Sequence, residues 1–183
     1  MKTAAVLSVL IALVLGGPGF AYNRHWRLGA SYARLTDTGS RNLLGDAWAV
    51  VGEYSFTDKL TEDDDLPDDV SVTIQFRRFD DTVPGANYTV DYASYGLRWR
   101  KGPGAQPECD GFYGGVGLAA AMFRIKPAIT GGGAGEGNTR FEWSLFGGCN
   151  FARCLYAEFG YSQIPPVNGV AFGQILFTIG GRF

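Results

Sequence analysis

Lysine is almost missing from this 183-residue sequence: after Lys2, only Lys59, Lys101 and Lys126 occur. Soluble domains spread lysine over their surface, so an ordinary water-exposed exterior is a poor fit. No segment after residue 21 approaches the ~18 consecutive apolar residues of a transmembrane helix, which excludes a helical span. Histidine is reduced to His25, and no spacing of His, Cys or carboxylates predicts a metal site. No cofactor motif occurs either. The formal charge of −2 becomes −3 without Lys2, so no basic footprint points to nucleic acid.

What is present is apolar, aromatic and glycine-rich. Hydrophobic residues make up 46% of the chain, aromatics 14%, and 27 residues are glycine. With no helical span to absorb it, that composition fits β-structure. The first residues stand apart. Lys2 precedes an apolar run from Ala4 to Leu15 broken only by Ser8, and Gly19-Phe20-Ala21 offers small residues at a peptidase site. This is the pattern of a secretory leader. Residues 1–21 are expected to be removed, leaving one domain over residues 22–183.

Eight runs alternate with period two, the signature of strands with unlike faces. Trp26, Leu28, Ala30 and Tyr32 oppose Arg27, Gly29, Ser31 and Ala33; Trp48, Val50, Tyr54 and Phe56 oppose Ala49, Glu53 and Ser55. Val70, Val72, Ile74 and Phe76 oppose Ser71, Thr73, Gln75 and Arg77, and Tyr95, Leu97 and Trp99 oppose Gly96, Arg98 and Arg100. The second half repeats the habit around Val116, Leu118 and Met122, then Phe141, Trp143 and Leu145, then Leu155, Phe159 and Tyr161, and finally Ile175, Phe177 and Ile179. The fold class is all-β, an eight-stranded antiparallel up-and-down transmembrane β-barrel. The non-apolar face decides the orientation. It holds Gly, Ala, Ser and Thr with isolated Arg and Glu, which suits a narrow lumen and not a wetted wall.

Residues Ile175, Phe177, Ile179 and Phe183 resemble the C-terminal assembly signal of outer-membrane barrels, with Gly181 where a larger residue is common. The whole pattern is similar to the small barrels of the outer membrane protein A and X type. That resemblance implies recognition by the barrel assembly machinery, contact with outer-membrane lipid and lipopolysaccharide, and both termini in the periplasm. Outer loops would then be Thr36–Asp46, Asp80–Asn87, Lys126–Thr139 and Ile164–Val170. Inner turns would be Asp58–Asp69, Lys101–Gly111 and Phe151–Arg153.

In this phasing Arg27, Glu53, Arg77, Arg98, Arg140, Glu142, Glu158 and Arg182 point inward, with both signs present and pairing expected. Cys109, Cys149 and Cys154 fall at the periplasmic end. One disulfide is expected in an oxidising envelope, involving Cys109, because Cys149 and Cys154 point to opposite faces of a short turn. The acidic run Glu62–Asp69 reads as a solvated turn, and Gly131–Gly137 as a surface loop. The leading functional expectation is a non-enzymatic barrel with a structural or surface-interaction role and a closed charged lumen. Two alternatives are a lipid A-modifying, deacylase-like enzyme using Ser162, and a soluble periplasmic lipocalin-like binder. Tyr161-Ser162-Gln163 lacks the His that deacylase barrels place before their Ser, and a Ser without a nearby base is a poor nucleophile.

Overall fold

The computed structural model describes residues 25–56, 68–80, 88–106, 109–127, 137–152, 154–166 and 170–183. The leader expected at 1–21, most of the acidic run and most of the glycine-rich loop lie outside the described residues. Eight strands follow one another: β1 (Trp26–Leu35), β2 (Ala47–Ser55), β3 (Asp68–Asp80), β4 (Tyr88–Lys101), β5 (Gly111–Pro127), β6 (Gly137–Phe151), β7 (Leu155–Gln163) and β8 (Gln174–Arg182). Each pairs antiparallel with its sequence neighbours, and β8 pairs with β1 to close the barrel. At the seam Trp26 N–H donates to the Phe183 carbonyl at 3.0 Å and Phe183 N–H to the Trp26 carbonyl at 2.8 Å. Closure leaves no free sheet edge among the described strands.

The register sets the shape. The inward row from Leu35 runs through Gln174, Ser162, Ser144, Gly117, Arg98, Ser71 and Ser55. It returns to β1 opposite Ser55, at the level of His25, a stagger of ten residues from Leu35. Strands so staggered must tilt strongly, and an eight-stranded barrel of this kind is only wide enough to be filled by its own side chains. Glycines make the filling fit. A Cβ on Gly115 would meet the Phe146 ring, and one on Gly117 would stand 3.4 Å from Arg98 Cγ.

Large apolar side chains face out and stay exposed, among them Phe76, Leu97, Leu118 and Phe159. Aromatic clusters mark both strand ends. Trp26, Tyr54 and Phe56 meet in succession, tilted and edge-on, with ring centroids 4.8 and 5.2 Å apart at the end of the barrel where β1 starts and β8 finishes, and Tyr32 meets Trp48 at 5.4 Å towards the far end.

Two connections depart from expectation. The segment expected as a loop over Thr36–Asp46 contains a helix, α1 (Thr38–Leu44). Asp37 caps it by accepting the Ser40 N–H at 2.7 Å, and Gly45, at φ 66°, returns an N–H to the Arg41 carbonyl. That backbone donor holds the Asp37 carboxyl below its ordinary pKa. The cap therefore contributes fully above the ordinary carboxylate range and is lost as pH falls through the lowered value. The second departure is the start of β3. Asp68 and Asp69, expected in a solvated turn, are strand residues, and Asp69 is fully buried.

Candidate functional site: the filled interior and its two closures

The interior is built in layers, and the layer nearest the termini is ionic. Glu53 on β2 accepts from Arg98 Nη1 and Arg100 Nη2, both on β4. Glu158 on β7 accepts from Arg98 Nη2, and from the Tyr113 hydroxyl at 3.3 Å. Arg100 Nη1 reaches Asp69 at 3.1 Å and the Ser71 hydroxyl at 2.8 Å, while Asp69 also accepts from Ser55. The Arg98 guanidinium lies 3.6 Å from the centre of the Phe146 ring. Ions in so dry a space are costly unless paired and hydrogen-bonded, and here each carboxylate serves several donors.

The turn between β4 and β5 folds back over this layer. Gly102 and Gly111, at φ 135° and 141°, bracket it in backbone that favours glycine. Ala105 is completely buried, and its carbonyl takes a 2.8 Å bond from Arg27 Nη2. The Asn150 amide donates to the Gly104 carbonyl at 2.7 Å, and Arg182 bonds the Cys109 carbonyl and the Asp110 carboxylate at 3.0 and 2.7 Å. The turn is thus a stopper held by side chains from β1, β6 and β8.

The far end is closed differently, by an apolar plug. Leu35, Leu44, Phe79, Tyr92, Phe123, Ile164 and Phe172 form one buried cluster, with Phe172 rings 6.0 Å from Phe79 and 4.7 Å from Phe123. Helix α1 and the segment before β8 cover it. Thr36 N–H donates to the Gly173 carbonyl at 2.8 Å, and Ala171 N–H to the Ser40 hydroxyl at 3.0 Å. Between the closures lies a cavity of about 30 Å³, lined by Thr73, Ser144, Glu142, Glu158 and Thr178 among others. That is room for roughly one water molecule.

The residues singled out by sequence fall into separate groups. Glu53, Arg98 and Glu158 meet in one cluster, while Arg27 and Arg182 hold the stopper. Arg77 donates to Gln174 and Gln75 and lies over the Tyr92 ring, and Glu142 accepts from Tyr92, so these two join a higher polar layer. Arg140 does not belong inside. Its register partner on β5 is Ala121, but β6–β7 pairing begins only at Trp143↔Gln163, so Arg140 stands beyond the end of β7, exposed at the rim.

Asp69, Arg100 and Tyr113 were missing from the expected network, as were the plug aromatics. The alternation carried that signal, since Phe79 continues the series Thr73, Gln75, Arg77, and Tyr113 and Phe123 continue the inward series of β5. Ser162 is fully buried and faces the lumen beside Ser144 and Gln174. Cys109 and Cys149 are half-buried and Cys154 is exposed.

The crystal structure of Ail, the attachment invasion locus protein of Yersinia pestis, matches with a TM-score of 0.53 at 15% identity, covering 86% of this chain and 97% of Ail. The architecture is that of the Ail barrel. A backbone structure of Ail in a phospholipid bilayer nanodisc gives 0.46 at 13% identity, covering 88% and 100%. No family model matches the sequence, and no curated protein matches it significantly. With Ail the chain shares the eight-stranded antiparallel barrel.

Proposed function

We propose that this chain is an exported, non-enzymatic integral outer-membrane barrel, sealed along its axis, that acts through the loops and rim of its far end. The outward wall carries this reading. Phe76, Leu97, Leu118 and Phe159 are each 55–60% exposed, and a continuous apolar belt on this scale has no place in water. The Ail-like architecture supports the same location. The termini and the stopper then face the periplasm, and α1 with the apolar plug faces outwards. The ionic layer serves as a structural seal and not as a conduit. Ser162 supports no lipid A chemistry, because it is buried in the lumen while that substrate lies in the surrounding leaflet.

Fractionation with heat-dependent gel mobility tests the location. Outer-membrane protein that migrates faster unheated than boiled is expected. Folded soluble protein in the periplasm would overturn the reading in favour of a lipocalin-like binder. An unchanged lipid A mass spectrum on expression is expected, and loss of an acyl chain would restore the enzyme alternative.

The assembly-signal reading of β8 gives a further expectation. Phe183→Ala keeps the backbone bonds to Trp26 and removes only the aromatic ring. Assembled barrel in cells should drop severalfold while refolding of purified protein into detergent is unchanged. Equal amounts in the membrane would remove Phe183 from any such signal.

A further inference from the structure

The small cavity between the two closures is lined by members of both polar layers. Glu142 comes from the upper layer and Glu158 and Arg98 from the lower, with Thr73, Ser31 and Thr178 among the hydroxyls around it. Glu142 is buried and accepts the Tyr92 hydroxyl, which uses one of the roughly four acceptor positions of a carboxylate. Glu158 accepts from Arg98 and Tyr113. The Thr178 hydroxyl donates to Ser31 at 2.9 Å, so that pair is matched. Thr73 is different. It is 2% exposed, and its Oγ1 has no hydrogen-bond partner among the described residues. Buried hydroxyls are rarely left so.

We infer that this cavity is a binding site for one structural water molecule that ties the two layers together. Its oxygen takes the Thr73 hydroxyl hydrogen, and its own two hydrogens go to Glu142 and Glu158. Three bonds are the usual complement of a buried water. A volume of about 30 Å³ has no room for a hydrated ion or an organic ligand. Charge decides against a bare cation. Buried Arg27, Arg77, Arg98 and Arg100 stand against buried Glu53, Asp69, Glu142 and Glu158, and Arg182 is answered by Asp110. The interior is therefore neutral as it stands. A cation added beside Arg98 would have no further charge to balance it, which is costly in so dry a space. Water brings donors to both carboxylates and an acceptor to Thr73 with no net charge. The site needs only the filled barrel, so it stands apart from the membrane location proposed above.

Oxygen-17 magnetic relaxation dispersion, on the barrel refolded in a non-ionic detergent, counts internal waters of long residence and tests the site. Thr73→Val keeps the shape of the side chain but not its hydroxyl, and should lower the count by one. Thr73→Ser keeps the hydroxyl and should keep the count. Heat-dependent mobility run on each variant reports that the barrel is folded. An unchanged count in folded T73V overturns the site. A crystal structure of the wild-type barrel reads it without any substitution: one water within hydrogen-bond distance of Thr73, Glu142 and Glu158 is expected, and a cavity without one overturns the inference. Unfolding in sodium chloride and in choline chloride of equal ionic strength should coincide, whereas specific stabilisation by sodium would assign the cavity to a cation instead. The link between layers has its own readout. Tyr92→Phe and Tyr113→Phe, which remove one donor each from Glu142 and Glu158, should be non-additive in unfolding free energy in the wild-type background and additive in T73V. Additivity in both backgrounds would overturn the bridge.

Discussion

Glu53→Ala is expected to destabilise the barrel by about 3–5 kcal/mol, the range for removing one partner from a buried ionic cluster. Glu53 accepts from both Arg98 and Arg100, and Arg100 is fully buried. Without that carboxylate, Arg98 keeps Glu158 while Arg100 keeps Asp69 at 3.1 Å and a looser 3.8 Å approach to Glu158. Two guanidiniums on alternate residues of β4 then face each other's charge with less compensation. Urea unfolding of protein refolded into lipid vesicles measures the loss. Glu53→Gln, which keeps an acceptor but no charge, should lie between wild type and Ala. A loss under ~1 kcal/mol for Glu53→Ala would mean that the ionic layer is marginal to stability. The apolar plug and strand pairing would then hold the interior.

Leu118→Arg places a charge on the outer wall instead. Leu118 is 55% exposed and lies on β5 midway between Phe112 and Arg124. A cation at such depth costs ~2–4 kcal/mol, falling to ~0–1 near either interface. The same vesicle unfolding assay reads it, with Met122→Arg, nearer the Arg124 rim, as the graded comparison. Equal costs at 118 and 122 would place the apolar belt off-centre along β5. No cost at either position would remove lipid from this face and count against the membrane reading itself.

Alternation proved readable strand by strand because it is a local property. A β-strand sends successive side chains to opposite faces, so Arg27 and Trp26, or Arg98 and Trp99, declare their sides without reference to the rest of the chain. The ends were less legible. Asp69 looked like the tail of an acidic turn because five carboxylates precede it within the run from Glu62. Its place was decided by Arg100 and Ser55, brought alongside by pairing of β3 with β4 and β2. Helix α1 has no long amphipathic repeat to announce it. It exists because Asp37 and Gly45 cap it and because Leu44 enters the plug.

What the sequence determined by itself is therefore the strand count, the two faces and the mixture of charges and small residues inside. The interior partnerships were left to the closed barrel. Arg98 reaches Glu158 on β7 only because the inward rows return to β1 ten residues out of step, carrying β4 across the lumen from β7 at that height. Arg140 shares the inward phase yet is exposed, because β7 ends before it. Phase is set between adjacent residues, whereas stagger is the sum of every strand pairing around the ring. No stretch of sequence shorter than the whole barrel contains it.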